Sequence, residues 1–126
     1  GRTWRQMGLA DSRHMGRVVI HPSNPDVVFA TVMGSMWQND PQKSAVRGLY
    51  KTTDGGATWR RTLSAGANAG VVDVAMDPTN PDVLYAAAWH RERRDWSYIN
   101  AGDQSGLFKS TDGGETWTRL TTGMPT

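Results

Sequence analysis

The chain has 126 residues, room for one ordinary domain, and carries 14 Lys and Arg against 12 Asp and Glu. The resulting formal charge of +2 is too small to imply nucleic acid as a partner, and no apolar run approaches the roughly 20 residues of a bilayer-spanning helix. Without cysteine there is no disulfide framework and no thiolate metal site, so the redox compartment stays open.

Fourteen glycines and six tryptophans, with almost no helical periodicity, point to β structure with many tight turns. In chain order, the first expected strand runs from Thr3 to about Met7. Four more follow at Arg17–Ile20, Val27–Val32, Gly48–Thr53 and Thr58–Leu63. A second set of four is expected at Asp73–Met76, Val83–Ala88, Gly106–Thr111 and Thr116–Leu120. Each is rich in valine, aromatic or threonine side chains and is bounded by Gly, Pro, Asn or Asp. The Asn-Pro-Asp between the first two strands of each set reads as a hairpin turn. Proline presets φ at one corner, Asp tolerates the other, and Asn is held extended by the proline after it.

The two sets are one unit said twice. "GRTW" (Gly1–Trp4), "GATW" (Gly56–Trp59) and "GETW" (Gly114–Trp117) fall at spacings of 55 and 58, and "HPSNPDVVFAT" (His21–Thr31) matches "DPTNPDVLYAA" (Asp77–Ala87) at a shift of 56. Four antiparallel strands per repeat is the arithmetic of a β-propeller blade. The expectation is an all-β chain: an orphan fourth strand at 1–7, one blade at 8–63 and a second at 64–126. A propeller takes about four to eight blades. Two are therefore expected to belong to a larger protein or to associate with copies of themselves. Gly1 falls inside a motif, so upstream sequence, with any targeting signal, is expected to be missing.

The repeated turn is Ser/Thr-x-Asp-x-Gly-x-Thr-Trp, complete at Thr52, Asp54, Gly56, Thr58 and Trp59, and again at Ser110, Asp112, Gly114, Thr116 and Trp117. Along the whole chain, this phrasing resembles the BNR/Asp-box propellers. These include sialidases, endoglucanases acting on xyloglucan, sortilin-type receptors and a photosystem assembly factor; large bacterial sortilin-like proteins are the most similar in wording. In that family the Asp-box is structural and lies opposite the binding site, and parents are often exported. The residues agree with a structural role: a carboxylate in a glycine-rich hairpin accepts N–H groups of its own turn, and the tryptophan covers it. No catalytic residue, metal or cofactor is assigned to it.

Binding is expected at the other ends of the strands. There the loops are long and dissimilar: Gly8–Gly16, Met33–Arg47, Ser64–Gly70 and Trp89–Ser105. They carry Trp37, Trp89, Trp96 and Tyr98 with Arg13, His14, His90, Arg91, Arg93 and Arg94, and Arg17 starts the strand that follows. Aromatic faces stack on sugars, and arginine forks pair with carboxylates, so carbohydrate or acidic peptide are the expected ligands. The same tryptophans could instead wedge between blades, with the arginines solvated. Arg17 and Asp73 occupy equivalent strand starts and could form a link between blades or face a ligand in the axial channel. His14 and His90 lack metal-like spacing with carboxylates, and His21, standing where Asp77 stands in the other repeat, reads as a turn residue.

The main expectation is thus a non-catalytic propeller segment that binds or scaffolds. A glycoside hydrolase fragment is the alternative. Its sialidase form would press Glu92 and Tyr98 into service, and its endoglucanase form Asp11 and Asp95, with the remaining machinery outside this chain. A two-blade unit, excised or designed, that closes a ring with its own copies is the third possibility.

Overall fold

The computed structural model describes residues 1–37 and 43–124. Of the loop expected over Met33–Arg47, residues 38–42 lie outside the described residues. Two sheets carry the fold. The first is built from β1 (Met15–His21), β2 (Asn24–Val32), β3 (Gly48–Thr52) and β4 (Arg60–Leu63), antiparallel in that order. A short helix, α1 (Lys43–Val46), precedes β3. The second contains β5 (Ala69–Met76), β6 (Leu84–His90), β9 (Gly106–Ser110) and β10 (Thr118–Arg119), again each beside its predecessor. Between β6 and β9 the chain inserts a small ribbon, β7 (Glu92–Arg93) paired with β8 (Tyr98–Ile99).

The two sheets repeat in register as well as in order. Phe29 pairs with Lys51 across β2 and β3, as Tyr85 pairs with Lys109 across β6 and β9. Between the sheets lies the core, where Phe29, Leu49 and Leu63 of the first meet Val71, Val74, Leu84, Ala86 and Phe108 of the second. Alternation along β2 explains which face is which. Phe29 points inward, while Ala30 and Val32 turn to the opposite face, where Leu9 and Tyr50 border the same hollow as Val32. The inner strands come closest at Gly16, where a Cβ would sit 1.9 Å from the Val72 carbonyl oxygen; a side chain there would force β1 and β5 apart.

The β1–β2 connection differs between the repeats. In the first, the corner falls on Pro22 and Ser23, three residues earlier than the expected Pro25 and Asp26, because His21 already pairs with Asn24. In the second, Val83 N–H donates to the Asn80 carbonyl at 2.9 Å, so Pro81 and Asp82 form the corner. Both asparagines accept the N–H two residues on, Asn24 from Asp26 and Asn80 from Asp82, each at 3.2 Å. In the second repeat that Asx turn shapes the corner together with Pro81, whereas in the first it lies past the corner, at the start of β2.

Residues 1–14 hold no strand. Thr3–Met7, expected as a fourth strand, have no third strand beside them and so carry no ladder. The Met7 carbonyl instead accepts the Trp59 indole N–H at 2.7 Å. The far face of the first sheet leaves Met15, Val18 and Ile20 exposed beside a groove of about 280 Å³ bordered by Met7, Val28 and Trp59.

Candidate functional site

The Asp-Gly-Gly turns occupy one rim of the sheets, and each is saturated by its own atoms. Asp54 accepts the Thr52 hydroxyl at 2.7 Å, the Thr58 N–H at 2.9 Å and the Thr58 hydroxyl at 2.5 Å. Asp112 accepts the Ser110 hydroxyl at 2.7 Å, the Thr116 N–H at 3.0 Å and the Thr116 hydroxyl at 2.5 Å. Thr52 and Ser110 in turn accept the N–H of Gly56 and Gly114, both at 2.9 Å. The Thr58 hydroxyl, then its N–H, then Thr52 hold the Asp54 carboxyl down at about 2, and the corresponding bonds, Thr116 first, depress Asp112 as well. A carboxylate stabilised this way is a poor proton donor at neutral pH. Its geometry is that of a closed turn. Each turn also docks on its neighbour, since Gly55 N–H donates to Asp26 O at 3.0 Å and Gly113 N–H to Asp82 O at 2.9 Å. Trp117 lies against the core, its indole N–H donating to Gly114 O at 3.2 Å.

The long loops gather at the opposite rim. Met33 N–H donates to His14 O at 2.8 Å and His14 Nδ1 lies 3.2 Å from Gly34 O, which joins the Gly8–Gly16 loop to the next. A parallel bridge between Trp37 and Arg93, with Arg93 N–H donating to Met36 O at 2.8 Å, joins that loop to the β7–β8 ribbon. The Arg93 guanidinium lies 5.3 Å above the Trp37 ring, and that of Arg91 lies between Trp89 (4.9 Å) and Tyr98 (5.4 Å). Three aromatic rings remain open to solvent: Trp96 at 79%, Trp37 at 48% and Tyr98 at 46% of full exposure. Trp89 is half-buried, with its indole N–H bound to Asn100 O.

His90 is buried and anchors this ribbon. Its Nε2 lies 2.9 Å from Glu92 Oε1, its Nδ1 3.1 Å from Asp103 Oδ1, and Arg94 Nη2 stands 3.8 Å from Glu92 Oε2. Glu92 is thus buried against His90. Tyr98 is across the ribbon from Arg93 and donates its hydroxyl to Asn100 Oδ1 at 3.1 Å. A tyrosine–glutamate nucleophile pair needs both groups at one open cleft, which this arrangement does not provide. Arg17 stands apart from the loop cluster, its Nε 2.7 Å from Asp73 Oδ1, linking the inner strands of the two sheets. Arg13 is exposed in the first loop with φ of 61°.

Two features escaped the sequence reading. Arg47 is 1% exposed, and its guanidinium donates to the carbonyls of Ser35, Asn68 and Arg91, tying three of the long loops together. Nothing in its local sequence marks it, because its partners are distant backbone atoms. The second joins the sheets. Lys51 Nζ donates to Gly113 O at 2.9 Å and Glu115 Oε1 at 2.6 Å, and Arg60 binds Glu115 Oε2 at 2.5 Å. Its signal was present, since Lys51 and Lys109 recur in "YKTT" and "FKST".

No family model matches the sequence, and no curated protein matches it. Among solved structures, an ancestral GH74 enzyme superposes with a TM-score of 0.60 at 20% identity, over 85% of this chain and 12% of that one. YCF48 from Cyanidioschyzon merolae superposes with a TM-score of 0.58 at 18% identity, over 97% of this chain and 31% of that one. Both are β-propellers, and at these identities the likeness concerns the fold. The two four-stranded sheets are blades of a β-propeller. The chain spans less than a third of the length of either relative.

Proposed function

We propose that the chain is a non-catalytic wall segment of an Asp-box propeller, whose long-loop rim binds a carboxylate-bearing ligand, an acidic carbohydrate or an acidic peptide. The cluster of open rings and guanidinium groups formed by Trp37, Arg93, Trp96 and Tyr98 carries the reading. Rings give a flat apolar surface for a sugar or side chain, and Arg93 stays exposed above one of them to meet a charge. The burial of Glu92 and the self-saturated Asp54 and Asp112 speak against acid–base catalysis within these blades. The test is calorimetric titration with oligogalacturonate and with a poly-glutamate peptide. Binding of either that weakens about tenfold in Trp96→Ala or Arg93→Ala supports the reading. Absence of binding of both at millimolar concentration refutes it.

A further inference from the structure

The clamp between the blades has a second, unused copy. In the occupied one, the Phe29 ring and Lys51 form a seat on β2 and β3, with Lys51 Nζ 5.6 Å above the ring. Into it fits the Gly113–Gly114–Glu115 turn of the next blade. A Cβ at Gly114 would lie 2.6 Å from Phe29 Cε1, so only glycine, here with φ of 79°, lets the backbone lie on the ring. Lys51 then bonds the Gly113 carbonyl and the Glu115 carboxylate, and its side chain keeps 11% of its exposure.

On β6 and β9, Tyr85 and Lys109 stand in the same register, with Lys109 Nζ 5.4 Å above the ring. Tyr85 is 37% exposed where Phe29 is 1%. Among the described residues, no oxygen bonds Lys109 Nζ. We propose that the Tyr85–Lys109 face is a docking seat for a Gly-Gly turn followed by an acidic residue, carried by a further blade that follows β10 in the same polypeptide.

A second copy of the chain fits the seat less well. Its Gly113–Glu115 turn is already held on its own Phe29 and Lys51. Its other turn, Gly55–Gly56–Ala57, has no carboxylate for Lys109 and is covered by its own Met7, whose Cβ lies 3.4 Å from the place a Gly56 Cβ would take. The seat lies at the turn rim, away from the ring and guanidinium cluster, so its test is independent of ligand binding there.

The experiment joins a second copy of residues 64–126 after Thr126 and follows amine acetylation of each lysine by mass spectrometry. Lys51 is the internal reference for an occupied seat. In the 126-residue chain Lys109 is expected to react readily, and in the extended chain about fivefold more slowly, approaching Lys51. Protection is expected to disappear when the appended turn carries the substitution equivalent to Gly114→Ala. The pair Lys109→Met and the appended Glu115→Gln equivalent is expected to couple by about three- to fivefold in the unfolding equilibrium constant. An extended chain with unchanged Lys109 reactivity overturns the proposal, whether the added blade shows β signal or fails to fold against the seat. Protection of Lys109 that rises with concentration of the unextended chain would give the seat to a second copy and overturn the assigned occupant.

Discussion

Replacing Arg47 by methionine removes the guanidinium while keeping most of the side-chain stem. Its carbonyl partners, on Ser35, Asn68 and Arg91, belong to different loops, and the group is 1% exposed. A hydrogen bond to a charged group contributes roughly 1.5–3 kcal/mol, so three of them set a ceiling of about 9 kcal/mol. Removing a buried cation recovers part of its desolvation cost, which brings the expected loss to about 2–4 kcal/mol. For a chain of this size that corresponds to a fall in Tm of about 8–16 °C. Urea unfolding followed by tryptophan fluorescence, with a thermal scan alongside, measures both. Arg47→Lys keeps the charge but cannot span three carbonyls, and should lose about half as much. A loss below about 0.5 kcal/mol in Arg47→Met, or full stability in Arg47→Lys, would refute the reasoning, since the carbonyls would then find partners without the fork.

Other perturbations probe the turns and the clamp. The Asp54 carboxyl is depressed from 3.8 to about 2 in the fold, so its stabilisation is present above about pH 4 and lost as pH falls toward 2; Asp54→Asn should flatten the acid limb of the stability profile. Gly114→Ala combines a φ of 79° with a methyl 2.6 Å from the Phe29 ring and should cost about 2–4 kcal/mol in urea unfolding. Gly55→Ala has a similar φ of 67° but meets only Asp26 Oδ1 at 3.2 Å, so about 1 kcal/mol is expected. A double-mutant cycle on Lys51 and Glu115 should give a coupling of about 0.5–1 kcal/mol that shrinks in high salt, because Glu115 is 44% exposed.

The blade architecture was legible because it is local and repeated. Strand content, order and the 56-residue shift follow from valine and aromatic runs between turn residues; the structure extends β5 back to Ala69 and β6 on to His90, and shortens the fourth strands to Arg60–Leu63 and Thr118–Arg119. The β7–β8 ribbon was hidden in "RERRDWSYI", because its ladder is only two residues long and depends on the bridge from Arg93 to Trp37. The aromatics and arginines of the loops could be named but not sorted. Only the fold shows that Arg91 is spent between Trp89 and Tyr98 while Trp96 stays open. His90 reads as a candidate ligand contact and Glu92 as a candidate member of a nucleophile pair, yet the two lie buried against each other, a contact between side chains two residues apart.

The bonds from Gly55 to Asp26 and from Gly113 to Asp82 fasten each blade's inner hairpin to its outer hairpin at the turn rim. At the other rim one buried side chain, Arg47, reaches across several loops. Insertions at the turn rim would pull two hairpins out of step at once, whereas the long loops can grow or shorten wherever Arg47 and its carbonyl partners stay in place. For an engineer the asymmetry is a map. Foreign peptides belong in long-loop stretches that leave Ser35, Arg47, Asn68 and Arg91 in place, and the turn rim is to be left untouched.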